Sequence, residues 1–350
     1  MTDELQWVVV GAGPAGCAAI GQLIDANVSL KKIAWIDPSF TVGDFGTAWR
    51  QVHSNTTIGS FIKFYKAFDA FEFGCNHQPF LIERAKPEGT CPLMIAAEPL
   101  KLITQTLRNK VMSRHDKVLA LGYTSSGWHL HLASGQQVTT QKVILALGAR
   151  ARTLPYSNLI TIPFKTAMHS ELLNQAINAD DTIAVFGSYQ SARTVAENLA
   201  KIKASNIIHF YRSERSFEQH VASLPLLPHI ECYPNTPSNL ITHIPRCNKA
   251  IYAVGFVRRE IKIEGLPHDF LYDSQTGVIA PGVYGLGIAF PETIPYTMGR
   301  LTYNVSAIWP FVKYLKRIFP AWLHEQVLFS SSVRFASKHS VKDGIHIHHV

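Results

Sequence analysis

The residues of this chain best placed to do chemistry are Gly11, Gly13 and Gly16, followed by the acid Asp37. They stand in and after the run Val8-Val9-Val10-Gly11-Ala12-Gly13-Pro14-Ala15-Gly16. Each glycine of this Gly-x-Gly-x-x-Gly spacing has its own task. Gly11 permits a tight turn, Gly13 lets backbone N–H groups approach a pyrophosphate, and Gly16 lets a helix pack on the preceding strand. The N-terminus of the helix that follows presents partial positive charge to phosphates. Asp37 follows about 20 residues later, where a carboxylate can bond a ribose hydroxyl. The chemistry implied is the binding of a dinucleotide. It requires a strand ending at Val10, a helix from Cys17 to Asp25, and a second strand from Lys32 to Ile36.

The pattern recurs. Asp181 to Ala192 again reads as a strand running into a turn, Arg193 to Lys203 as a helix, and Asn206 to Tyr211 as a strand ending at Arg212. Gly187 keeps the first glycine of the turn, and Gln190 and Ser191 suit a phosphate-facing helix start. Tyr189 stands where the middle glycine belongs. That leaves three alternatives: a nicotinamide cofactor in a shifted pose, weak binding, or a lost pocket that the ring fills or covers. Arg212 and Arg215 suit a 2′-phosphate and so favour NADPH over NADH, or else they are solvated surface charge.

These elements place the chain in the α/β class with two Rossmann-like domains. Residues 1–155 and 246–330 form the first, residues 156–245 form a smaller NAD(P)-binding-like domain inserted in it, and 331–350 is a polar tail. Lys117 to Val138 reads as antiparallel strands joined by Ser125-Ser126-Gly127 and Ser134-Gly135 turns. Lys142 to Gly148, Lys249 to Phe256 and Gly282 to Ala289 read as further strands. A long helix is expected from Tyr303 to Phe319, interrupted at Pro310.

Composition narrows the partners. At 350 residues the chain can bury a large core, and 47% hydrophobic with 17% charged residues is ordinary for a globular protein. The net charge of +8 assists a ligand with several phosphates, while no arginine-rich or basic-aromatic block signals nucleic acid. None of the five cysteines pairs as Cys-x-x-Cys, so neither a zinc ribbon nor a thioredoxin-like thiol pair is signalled, and their scattered spacing suits a reducing, cytoplasmic compartment. The N-terminal apolar stretch is broken by glycine and unlike a signal peptide. No run reaches the roughly 18 apolar residues of an integral membrane segment. His346, His348 and His349 in the tail invite only adventitious metal.

Residues 5 to 320 resemble the two-dinucleotide-binding flavoproteins, in the branch of flavin-containing monooxygenases and their N-hydroxylating and Baeyer–Villiger relatives. The resemblance implies that Gly11, Gly13, Pro14, Ala15 and Gly16 hold the FAD pyrophosphate and Asp37 the adenosine ribose. Ala146-Leu147-Gly148 resembles the family's Ala-Thr-Gly strand end, and Gly282 to Ala289 its final FAD strand. There Gly287 is kept, but Ile288 replaces an aspartate. Gly46-Thr47-Ala48-Trp49-Arg50 with Ser54-Asn55-Thr56 resembles the stretch that packs beside the isoalloxazine. It implies flavin contacts from Trp49 and Arg50, and an Asn55 amide that holds oxygen or a peroxyflavin; a plain turn is the alternative. Phe164 to Ser170 resembles the family's linker, with the glycine missing and one residue fewer. His169 is then either a residue coupling the domains or the neighbour of a helix cap. The activity implied is an FAD-dependent, NADPH-reduced monooxygenase that adds molecular oxygen to a small-molecule substrate through a peroxyflavin. A flavin reductase or dehydrogenase of the same fold, or a regulatory FAD-binding protein with an impaired nicotinamide site, are the alternatives. The substrate and any homo-oligomer are left open.

Overall fold

The computed structural model describes residues 4–75, 78–222, 230–295, 302–305 and 307–327. It divides into two compact units: residues 1–149 with 258–350, and residues 150–257. The tail histidines lie outside the described residues.

Unit 1 begins with β1 (Leu5–Val10), α1 (Pro14–Asp25), β2 (Ile33–Asp37), the short α2 (Gly43–Gly46) and α3 (Ile58–Tyr65). It continues with α4 (Leu93–Lys110), β3 (Met112–His115), β4 (Val118–Thr124), β5 (Gly127–Leu132), β6 (Gln137–Leu145) and β7 (Ala149–Ala151), where the chain leaves the unit. β1 pairs in parallel with β2 and with β6, and β2 in parallel with β3. β4, β5 and β6 form an antiparallel meander, as their serine-glycine turns require. The alternation of strand side chains is visible in β1, although Trp7 to Val10 are all apolar. Trp7 and Val9 face a core against α1, α3 and α4, while Val8 and Val10 face a second core against the meander. A strand buried on both faces has to read as a continuous apolar run.

Unit 2 contains β8 (Ile160–Thr161), α5 (Phe164–Ala167), α6 (Ser170–Ala176), β9 (Thr182–Phe186), α7 (Gln190–Lys201) and β10 (Asn206–Tyr211). It continues with α8 (Glu214–Phe217), β11 (Ile230–Pro234), α9 (Pro237–His243), β12 (Lys249–Tyr252) and β13 (Phe256–Arg258). Its sheet runs β11-β10-β9-β12-β8 and every pair in it is parallel. The sequence places residues 246–257 in the first domain. In the structure these residues, and also 150–155, belong to the second unit, where Lys249–Tyr252 pairs in parallel with Ile183–Phe186.

Back in unit 1, the chain forms β14 (Lys262–Ile263), β15 (Val278–Ala280), β16 (Val283–Gly285), β17 (Glu292–Pro295), β18 (Thr302–Val305) and α10 (Ile308–His324). β16 pairs in parallel with the end of β6, which completes the dinucleotide sheet. The last helix corrects the sequence reading. Tyr303 is in β18, and Pro310 sits in the first turn of α10, where no helical N–H bond is lost. Val312, Leu315 and Trp322 bury one face of this helix in the core on α1.

Candidate functional site

The first turn is shaped by three contacts too close for any side chain. A Cβ on Gly11 would stand 2.3 Å from the Ala146 carbonyl oxygen, and one on Gly16 would stand 1.9 Å from the Gly11 carbonyl oxygen. A Cβ on Gly287 would meet that of Ala15 at 2.5 Å. Gly11 also has φ of +104°, which disfavours any other residue. Gly13 is different: nothing lies within 4 Å of its Cβ position. It is the N-cap of α1, with Pro14 at the first helical position and no side chain capping the helix. Open space at an uncapped N-terminus is what a pyrophosphate needs.

Asp37 is 7% exposed and serves the turn itself. Its Oδ2 accepts the Ala12 N–H at 2.8 Å, and its Oδ1 accepts those of Ser39 at 2.8 Å and Phe40 at 2.7 Å. A carboxylate oxygen accepts about two bonds, so Oδ2 keeps one acceptor position beyond the Ala12 N–H. Cys17 follows the turn with its thiol 3.3 Å from the Thr104 hydroxyl, and burial pushes that thiol up to about 12, which leaves it inert.

Trp49 and Arg50 lie half-buried in a loop tied to α2 and α4. The Trp49 N–H donates to Asp44 O at 3.1 Å, and the Met94 N–H donates to Arg50 O at 2.8 Å. Ser54 is buried, and its hydroxyl both donates to Thr56 O at 2.6 Å and accepts the Thr56 N–H at 2.8 Å. Asn55 therefore stands exposed at the tip of a hydrogen-bonded serine turn. Gly148 has φ of +71° at the end of the Ala146-Leu147-Gly148 turn.

The second turn, in unit 2, keeps the same backbone design. Gly187 has φ of +146°, and a Cβ there would be 2.5 Å from Ala253 O. Tyr189 is the N-cap of α7 with extended backbone angles (φ −117°, ψ −170°), close to the ψ of −177° at Gly13. The tyrosine thus occupies the glycine's place without backbone strain. Its side chain is 40% exposed and lies 5.8 Å from the His220 ring, tilted at 55°, so it is not buried as a plug in the turn. Gln190 and Ser191 form the first turn of α7, and Arg212 and Arg215 are exposed at and after the end of β10. The buried Ser188 hydroxyl accepts the Arg212 N–H at 2.9 Å, which fixes the backbone at that arginine.

His169 is half-buried at the N-cap position of α6, where its carbonyl accepts the Leu173 N–H at 2.9 Å but its side chain caps nothing. Asn55 belongs to unit 1 and His169 to unit 2.

Two residues escaped the sequence reading. Trp35 Nε1 donates to Gly11 O at 2.9 Å, and His209 Nε2 donates to Gly187 O at 2.8 Å. They hold equivalent places, since Gly11 N–H donates to Ile36 O and Gly187 N–H to Phe210 O, each one residue further along. In both halves a buried ring donor therefore clamps the carbonyl of the first glycine. Burial holds the His209 imidazole down at about 4, against a smaller upward pull from Gly187, so the ring is neutral. The internal repeat aligns the two strands, but no local rule marks the ring donor within either of them.

Comparisons with known proteins follow the same lines. The family model described as pyridine nucleotide-disulphide oxidoreductase matches residues 5–224. The chain is 26% identical to monooxygenase AgnR1 of Paecilomyces divaricatus, over 90% of this chain and 97% of that protein. Among solved structures it resembles a flavin-containing monooxygenase from Stenotrophomonas maltophilia, with a TM-score of 0.57 and 14% identity over 92% of this chain and 98% of that one. It also resembles a thioredoxin reductase of T. acidophilum, with a TM-score of 0.51 and 12% identity over 91% and 97% of the two chains. The structural likenesses concern the fold.

Proposed function

The chain belongs to the pyridine nucleotide-disulphide oxidoreductase family, FAD- and NAD(P)-dependent oxidoreductases, and from that premise we propose that it is an NADPH-reduced monooxygenase acting on a small molecule. The observation that carries the FAD assignment is the open space at Gly13 between three glycines whose neighbours exclude a side chain. The likeness to a named monooxygenase over nearly its whole length favours oxygenation over disulfide reduction. So does the sequence, which lacks a Cys-x-x-Cys pair to exchange thiols beside a flavin.

FAD, when bound, supplies hydride acceptance and oxygen activation; the protein orients and shields it. The first-turn N–H groups of α1 hold the pyrophosphate, and Asp37 fixes the turn while offering its remaining acceptor to the ribose. Trp49 and Arg50 would contact the isoalloxazine, and the Asn55 amide would offer a hydrogen bond at the flavin's oxygen-reactive edge. At the second turn, the uncapped start of α7 takes the nicotinamide cofactor's pyrophosphate and Arg212 its 2′-phosphate. His169 serves as a linker residue.

Stopped-flow spectroscopy tests the reading. NADPH should bleach the bound flavin faster than NADH, and reduced protein mixed with oxygen should give a long-lived transient distinct from oxidised and reduced flavin. Asn55→Ala should keep the bleaching and lose the transient. Immediate reoxidation of the wild type would favour a reductase, and equal loss of both steps in the variant would make Asn55 structural.

A further inference from the structure

A charged pair stands at the rim of the first turn and has no part in the reading so far. A Cβ on Gly43 would lie 3.5 Å from Gly13 Cα, so the start of α2 touches the turn. The next residue, Asp44, is ion-paired with Arg259, which lies at the start of the unit's second segment. Arg259 is anchored on the other flank. Its N–H donates to Gly148 O at 3.2 Å, its Nε donates to Ala149 O at 3.4 Å, and Nε lies 3.9 Å from the Cβ position of Gly148. The same flank presses on Gly11 through Ala146 O. The pair therefore ties together the two loops that bracket the glycine turn.

As a stabilising device it is weak. The two side chains are 47% and 35% exposed, and exposed pairs contribute little. As a preset cation it is well placed. Two groups fix the guanidinium through Nε and NH2, and the fork keeps its NH1 edge for a further acceptor. A pyrophosphate brought to Gly13 would otherwise face Asp44 as a like charge.

We propose that Arg259 is a cofactor-binding residue that contacts the dinucleotide pyrophosphate, with Asp44 as the residue that positions its guanidinium. The inference rests on the reading of the first turn as the FAD site. The test is fluorescence titration of flavin-free full-length protein with FAD and with riboflavin, which has no phosphate. Arg259→Gln should weaken FAD about tenfold or more, the usual scale of a lost charge-assisted hydrogen bond, and leave riboflavin unchanged. Arg259→Lys should recover most of the loss, and Asp44→Asn should fall between. An unchanged FAD affinity in Arg259→Gln would overturn the inference, as would equal weakening of FAD and riboflavin. A wild type that binds no FAD would instead remove the FAD reading itself.

Discussion

His209 and Tyr189 are the residues on which the second turn depends. His209 holds the Gly187 carbonyl from a fully buried position, and only its neutral form fits there. Its ring is held at about 4, below the ordinary 6.5, so acid must protonate it by unfolding its surroundings. Stability from this group is complete above about pH 6.5 and drains away as pH falls towards 4. Thermal denaturation across that range should show His209→Gln, which keeps a donor at the same reach, with a shallower acid loss than the wild type. The same variant should keep the NADPH KM near normal, whereas His209→Leu should raise it with little change in kcat. Tyr189 keeps the backbone of a glycine but adds a ring where a pyrophosphate must approach. Tyr189→Gly should therefore lower the NADPH dissociation constant, read by the rate of flavin bleaching against NADPH concentration; an unchanged constant would mean the ring already stands clear. The sequence pointed to Tyr189 through its departure from a spacing rule. It could not point to His209, because no local rule asks for a histidine inside an apolar strand.

At the scale of elements, α10 shows how unit 1 is closed. Lys142 on β6 is 4% exposed, and its ammonium donates to Trp322 O at 2.7 Å and Leu323 O at 3.1 Å, the last turn of the helix. A cation at a helix C-terminus satisfies carbonyls that lack partners and suits the helix dipole. Burial lowers the Lys142 pKa, partly offset by Glu325. Lys142→Met keeps the packing against Trp7 but strands those carbonyls, and should cost about 2 kcal/mol, measured by urea denaturation. Strand–turn–helix units were legible because glycine spacing and apolar runs are local. The start of α10 was not: Tyr303 carries the same apolar character as the helix but is drawn into pairing with Ile294. Likewise β12 looked like part of the first domain until its pairing with β9 placed it in the second.

For the whole molecule, the proposed assignment of one dinucleotide to each turn predicts two ligand responses. Hydrogen exchange should show FAD protecting amides around 11–17 and 285–290, and NADPH protecting those around 187–193, each through its own site. Protection of both regions by FAD alone would contradict the assignment of one dinucleotide to each turn. The sequence by itself determined the α/β class, the two dinucleotide turns and the glycines that make the first one, because backbone conformation and close approach are demands that only particular residue types meet. Tertiary structure alone decided that Asp37 spends most of its carboxylate on Ala12, Ser39 and Phe40, that Trp35 and His209 clamp the two turns, and that Arg259 reaches Asp44. Those are contacts between residues far apart in the chain, and only the folded arrangement of strands brings them within hydrogen-bonding reach.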